Sequence, residues 1–290
     1  MTDLPLLLFH GLLSSPQEFG LIAHALKAHG LKHEAVSIPG YTVGGDTISV
    51  PPDWRNWRDA ASTIVGTRVS ENQPVVLGGL CMGGVLAAAA ALEHQQNIAG
   101  LVLISPTFTY DGWGLSPIRH LRHLGYWTGL DRYFSVRERE PFGVKNPKIR
   151  KWVAQELEQR SQSAVGPARL PLRALREGER MMAEVRTHLA DLRCPLLVIH
   201  AREDEITRFD SVQRLFNSLP QVDKELVELN NSYHMVTIDN DRHEVVAALN
   251  RFVKGLANRE AVSTTSMDRP SIHFNRSPID PVAQLKFNTT

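Results

Sequence analysis

Five residues, Gly79-Leu80-Cys81-Met82-Gly83, set a thiol between two glycines, directly after an apolar run and directly before an Ala-rich stretch. A nucleophile carried on a tight strand-to-helix turn needs this pattern. The backbone is strained at the reacting residue, and side chains in place of Gly79 and Gly83 would collide across the turn. Such a turn projects Cys81 from the carboxyl edge of a sheet and leaves it at a helix amino terminus, where the positive end of the dipole faces an anion. Further on, the run Leu196 to Ala201 ends in Arg202-Glu203-Asp204-Glu205. A carboxylate there can orient an imidazole. Asp204 is the candidate from its spacing to the strand end, with Glu203 and Glu205 as surface acids that periodicity alone does not exclude. The imidazole is offered by Asn230-Asn231-Ser232-Tyr233-His234-Met235, a polar loop after the last apolar run. Nucleophile, acid and histidine thus follow one another in the chain order expected of acyl-transfer sites on a parallel sheet. The first apolar run ends in His10-Gly11, a turn able to aim the Leu12 N–H at the space above Cys81. Together with the Met82 N–H it would form an oxyanion hole. His10 itself is expected to shape the turn rather than react.

To bring these loops together the chain needs a sheet whose strands end on one edge. Short β-branched-rich runs at Pro5–Phe9, Ala35–Ile38, Pro74–Leu77, Gly100–Ser105, Pro195–Ala201 and Glu225–Leu229 are the strand candidates. Between them, helix-spaced apolar residues mark Phe19–His29, Asp53–Val69, Met82–Glu93, Asp210–Leu219 and Arg242–Leu256. Pro51-Pro52 makes a good start for the second helix, where Trp54 and Trp57 pack it onto its neighbours. The alternation predicts an α/β fold, a mostly parallel sheet with helices on both faces. It is interrupted once, by the 88 residues from Pro106 to Arg193. That insertion is helical in pattern and long enough to cover a site, so it is expected to be a helical cap. The domains are therefore a core of residues 1–105 and 194–257, a cap of 106–193, and a Ser-, Thr-, Asn- and Pro-rich tail of 258–290 expected to be mobile or surface-wrapping.

Apolar residues at 42%, charged residues at 22% and a net charge of +1 describe an ordinary globular chain and give no reason to expect nucleic acid as a partner. Two cysteines are too few for a disulfide framework and fit a reducing compartment. The Leu4–Phe9 run lacks the preceding basic residues and following cleavage site of a signal peptide, and no stretch is long enough to span a membrane. The expected location is cytoplasmic. Cys194, just ahead of Pro195, is expected to be inert packing. His120 and His123 have the spacing of a metal pair on a helix but no evident third ligand, so neither metal nor cofactor is expected. From Ile118 to Lys151 nine bases outnumber three acids. A solvated helical surface accounts for them; the sharper alternative is a face receiving an acyl carrier protein or the phosphates of coenzyme A. Tyr126, Trp127, Tyr133 and Phe134, interleaved with these bases, are expected to pack the cap onto the sheet.

Over residues 3 to 256 the sequence resembles the α/β-hydrolase superfamily, and within it the bacterial monoacylglycerol-lipase-like carboxylesterases. The resemblance rests on His10-Gly11, Gly79-Leu80-Cys81-Met82-Gly83-Gly84, the strand end from His200 to Asp204, and Ser232-Tyr233-His234-Met235-Val236-Thr237-Ile238-Asp239. It implies the triad Cys81, Asp204 and His234 with Leu12 and Met82 supplying oxyanion N–H groups. The departure is at residue 81, where cysteine stands in place of the usual serine and resembles the dienelactone hydrolases and polyhydroxyalkanoate synthases. The expected activity is hydrolysis of a small-molecule ester or thioester through an S-acyl intermediate. An acyltransferase using the same residues and a non-catalytic binding protein are the alternatives.

Overall fold

A computed structural model of the chain describes residues 4–43, 52–69, 73–160, 162–163, 166–221 and 223–267. Pro51 of the Pro51-Pro52 helix start and residues 268–290 of the tail lie outside the described residues. Six strands form one parallel sheet: β1 (Leu6–Phe9), β2 (His33–Val36), β3 (Val75–Leu80), β4 (Ile98–Ile104), β5 (Leu196–Ala201) and β6 (Lys224–Leu229), in the order β6-β5-β4-β3-β1-β2. Successive side chains on a strand alternate between faces, so a sheet covered on both sides must be apolar throughout. Leu7, Phe9, Val75, Leu77, Leu101, Leu103, Leu196 and Val198 pack into one core with α2 (Trp54–Val69) and α3 (Met82–Glu93). Leu6, Leu8, Val76, Val102, Ile104, Leu197 and Ile199 pack into the other with α1 (Gly20–Ala28) and α8 (Arg242–Met267). Trp54 and Trp57 are buried in the first of these cores.

Several boundaries differ from the sequence pattern. Strand β3 runs three residues past Leu77, because Gly78, Gly79 and Leu80 pair with Val102, Leu103 and Ile104. Glycine suppresses the local strand signal, but here the missing side chains let neighbouring backbone approach. A Cβ on Gly79 would stand 2.2 Å from the carbonyl carbon of Gly83, and one on Gly83 would stand 2.1 Å from the Phe9 oxygen. Gly83 is thus required by β1 rather than by its partner across the turn. Strand β2 begins and ends two residues earlier than predicted, in register with Leu6 to Phe9 of β1. Helix α8 continues through residues 258–267, which the composition assigns to the tail.

Between β4 and β5 lie α4 (Arg122–Thr128), α5 (Pro147–Arg160) and α6 (Leu172–His188), and α7 (Phe209–Ser218) follows β5. The segment is not purely helical: 135–137 pairs with 169–171 and 162–163 with 166–167, both antiparallel. Helix α6 buries Ala174, Met181, Met182 and Val185 in the same core as α2 and α3. The aromatic residues of this segment do not pack it onto the sheet. Trp127, Tyr133 and Phe134 are exposed and Tyr126 is half-buried, since α4 and the turn after it are fastened to α6 by polar contacts, Arg122 to Glu179 at 2.5 Å and Arg176 to Asp131 at 3.2 Å. A helix of seven residues held by its polar side turns its apolar side outward.

Candidate active site

Every strand but the edge strand β2 delivers a candidate residue at its carboxyl end: His10 after β1, Cys81 after β3, Thr107 after β4, Asp204 after β5 and His234 after β6. The sheet is parallel, so these ends share one edge, which is where open α/β sheets place ligands. Cys81 has φ 56° and ψ −121°, a conformation disfavoured for any residue with a side chain and a mark of strain at a reacting centre. It is held by its N–H donating to the Ile104 carbonyl at 2.9 Å and by the Gly84 N–H donating to its own carbonyl at 3.1 Å. Its Sγ lies 3.4 Å from Oγ1 of Thr107, a fully buried residue.

His234 and Asp204 meet at 2.7 Å between Nδ1 and Oδ2, both nearly or wholly buried. Carboxylate oxygens only accept, so Nδ1 carries the proton that is donated to Asp204. Nε2 is buried and makes no hydrogen bond of ordinary geometry, leaving it available to a reacting proton. The loop N–H groups of Ile206 and Thr207 donate to Oδ1 of Asp204 at 2.8 and 2.9 Å. Burial alone would raise the Asp204 pKa, but the charges of His234 and His200 and these hydrogen bonds bring it below the ordinary carboxylate value. Burial would likewise lower the pKa of His234. The Asp204 charge and the Cys81 sulfur outweigh it, and the imidazole becomes far more basic than usual.

Met82 opens α3, and Leu12 follows the His10-Gly11 turn; among the described residues no backbone acceptor takes either N–H. The turn is built from buried polar groups. His10 Nδ1 donates to the Gly11 carbonyl at 2.9 Å, Nε2 takes the Thr42 hydroxyl at 2.7 Å, and the ring stacks on Tyr41 with centroids 5.0 Å apart. Burial lowers the His10 pKa to about 4, so it stays neutral near pH 7 and cannot serve as a cation. Helix α6 roofs the pair: a Cβ on Gly178 would lie 3.3 Å from Met82 Cε and 3.5 Å from Leu12 Cδ2.

Two further carboxylates belong to this cluster, Glu205, expected to be a surface acid, and Glu18, which no sequence pattern singled out. Glu205, expected at the surface, is buried and accepts the His234 N–H at 3.1 Å; its neighbour Glu203 is exposed as expected. Glu18 is buried, accepts the Gly11 N–H at 2.7 Å, and receives the Thr237 hydroxyl on its own carbonyl at 2.9 Å, tying the His10-Gly11 turn to the histidine loop. Burial drives both carboxyls up to about 7. No local pattern announces a buried acid. Ser15-Pro16 ahead of Glu18 signals only the short 3-10 helix that carries it.

The sign of the Glu18 shift has a measurable consequence. A carboxyl whose pKa rises from 4.5 to about 7 on folding lends stability below pH 4.5 that is lost as pH climbs through 7. Gln keeps an acceptor for the Gly11 N–H without that loss. Glu18→Gln is therefore expected to be about 3 kcal/mol more stable than wild type above pH 8 and equal to it below pH 4.5. Urea denaturation at the two pH values reads this directly; an equal or lower midpoint at high pH would contradict it.

The remaining candidates are placed elsewhere. Cys194 is buried and its thiol is pushed up to about 11 by desolvation. His123 lies edge-on against Tyr126, with ring centroids 5.5 Å apart, and no cluster of three His, Cys, Asp or Glu side chains suited to a metal occurs among the described residues. Among the described residues, three of the nine bases between 118 and 151 are held by carboxylates or carbonyls of the chain: Arg122 with Glu179, Lys145 with Glu203, and Arg150 with the Val144 and Lys145 carbonyls.

A parallel sheet with helices on both faces, carrying a thiol, an imidazole and a carboxylate at its carboxyl edge, is the architecture of enzymes of the α/β-hydrolase type. Residues 3–241 match the Hydrolase_4 family, described as serine aminopeptidase S33, and the chain belongs to that family, with cysteine rather than serine on its strained turn. It is 24% identical over 247 residues to the thermostable monoacylglycerol lipase of Bacillus sp. (strain H-257), covering 83% of this chain and 86% of that one. A carboxylesterase of Bacillus subtilis (strain 168) is 22% identical over 256 residues, covering 88% and 94%. Among solved structures, the monoacylglycerol lipase of Paleococcus ferrophilus superposes with a TM-score of 0.69 at 19% identity, covering 87% of this chain and 94% of that one. No helix among the described residues is long and apolar enough to cross a membrane.

Proposed function

We propose that the chain hydrolyses carboxylic esters and thioesters through an S-acyl intermediate on Cys81. The observation that carries this reading is the buried 2.7 Å bond from His234 to Asp204, which leaves a strongly basic Nε2 free on the same edge as a thiol held at φ 56°. His234 Nε2 takes the Cys81 proton as sulfur bonds to the substrate carbonyl carbon. The carbonyl oxygen becomes an oxyanion held by the Leu12 and Met82 N–H groups. The intermediate collapses with cleavage of the bond to the leaving group, which departs with the proton from His234. A water then gives His234 a proton and attacks the thioester carbonyl, releasing the acid and restoring the thiol. Asp204 fixes the tautomer throughout. The segment 106–193 acts as the cap, with α6 over the oxyanion residues.

The thiol sets a preference. Acylation by a thioester exchanges one thioester for another and is close to thermoneutral, whereas an oxygen ester gives up the more stable bond. Thioesters and activated esters are therefore the better acylating substrates; the relative named as a carboxylesterase supports a carboxylic ester, and the one named as a monoacylglycerol lipase supports an ester of a lipid-like acid. Intact-mass spectrometry after acid quench, across p-nitrophenyl esters and acyl thioesters, should show one acyl group per chain, located on Cys81 and discharged by hydroxylamine at neutral pH. Free acid that gives way to acyl product when an alcohol or amine is added would favour the transferase. Folded protein with neither adduct nor turnover on any substrate would favour a binding role and defeat the proposal.

A further inference from the structure

Large apolar side chains that water reaches are concentrated in one place. Of the ten exposed ones among the described residues, seven fall between Leu121 and Val136. Trp127 is 84% exposed and Tyr133 71%, and Leu121, Leu124 and Phe134 each exceed half. No residue of α4 is buried, and the strand 135–137 is exposed at every position. Isolated exposed hydrophobics are ordinary; a cluster on one short helix and the turn that follows is not. Around them stand Arg132, Arg137, Arg139 and Arg169, all exposed and none paired with a carboxylate among the described residues; Glu138 and Glu140 are the exposed acids of the same stretch, which leaves the bases in excess. The guanidinium of Arg132 lies over the Tyr133 ring, 4.9 Å from its centroid.

We propose that the face formed by α4, the 130–137 segment and this arginine collar docks the protein on an anionic lipid surface. Aromatic and leucine side chains standing clear of a basic rim are suited to the boundary between headgroups and acyl chains, with each arginine near an anionic surface contributing about 1 kcal/mol. A second copy of the chain is the weaker occupant, because a two-fold contact through this face would set its unpaired arginines against one another. The face also has a direct mechanical line to the site. Helix α4 and the following turn are bound to α6 through Arg122–Glu179 and Arg176–Asp131, and Gly178 of α6 lies against Met82 and Leu12. Docking there would set the entrance of the site against the lipid phase.

The test needs no turnover and is run on wild type and on Cys81→Ala, so that failure of the S-acyl mechanism and failure of docking are separate results. Co-sedimentation with phosphatidylcholine vesicles, with and without about a third of phosphatidylglycerol, should show salt-sensitive binding to the anionic vesicles only and a blue shift of Trp fluorescence. The double variant Trp127→Glu, Tyr133→Glu should lose at least about tenfold in vesicle affinity, some 1.4 kcal/mol or more, with its thermal unfolding unchanged. No binding to either vesicle, equal binding to both, or binding that survives the double substitution would overturn the proposal. So would a concentration-dependent dimer that the same substitutions abolish, which would make a second copy the occupant of this face.

Discussion

Cys81→Ala is expected to lower kcat/KM for esters and thioesters by about 10⁴-fold or more, since removing a nucleophile disables the imidazole and carboxylate that serve it as well. Activity within about tenfold of wild type in this variant would take Cys81 out of the chemistry. The fold should behave in the opposite sense. Residue 81 is held at φ 56° and ψ −121° by the Ile104 carbonyl on one side and α3 on the other, so any residue with a Cβ is strained there. Glycine accepts the same backbone at no steric cost. Cys81→Gly should therefore be the more stable of two inactive proteins, by about 1–2 kcal/mol over Cys81→Ala, although glycine is the poorer choice at most positions. Thermal unfolding of the two variants decides it, and the ordinary ranking of alanine above glycine would show that the turn carries no strain.

Asp204→Asn should be nearly as damaging to turnover, at about 10³–10⁴-fold in kcat, for a different reason. The amide oxygen can still take the Ile206 and Thr207 N–H groups that hold the loop, but the amide nitrogen facing His234 Nδ1 is a donor. The imidazole must then carry its proton on Nε2, where it can no longer accept one from the thiol. The loss should fall on kcat with KM little changed. Stability will report the same change. In wild type, the depressed Asp204 pKa contributes stability above pH 3.8 that is lost as pH falls through its folded value. The raised His234 pKa contributes stability below pH 6.5 that is lost as pH rises through its folded value. The gap between wild type and Asp204→Asn should thus be widest between pH 3.8 and 6.5. A gap independent of pH would mean that the pair is not an ion pair in the folded state.

The elements that hold these residues were legible because each is announced locally. Six apolar runs became six strands, and Met82–Glu93 coincides with α3 end to end. The thiol, imidazole and carboxylate were legible for a related reason, since each follows a strand end by a few residues. What local pattern does not carry is burial contributed by distant chain. Glu205 sits two residues from exposed Glu203 and differs from it only because the histidine loop closes over it. Glu18 enters the site because Gly11, seven residues earlier, needs an acceptor that the β1 turn does not supply. The same blindness ran the other way at Trp127, Tyr133 and Phe134. Their apolar character suggested an interior, but the ion pairs to α6 fix which side of α4 and the turn after it faces in.

The two cysteines divide sharply in chemical character. Cys194 is buried with its thiol pushed up to about 11, so near neutral pH it is a spectator to electrophiles, while Cys81 is partly open to solvent at the sheet edge. A stoichiometric dose of an alkylating reagent consequently acts as a burette for the site. On the proposed mechanism the moles of reagent consumed equal the moles of competent nucleophile, and the residual activity of a half-labelled sample should match the unlabelled fraction of Cys81. With Cys81 as the proposed nucleophile, the wild-type chain would carry its own titration without a single substitution.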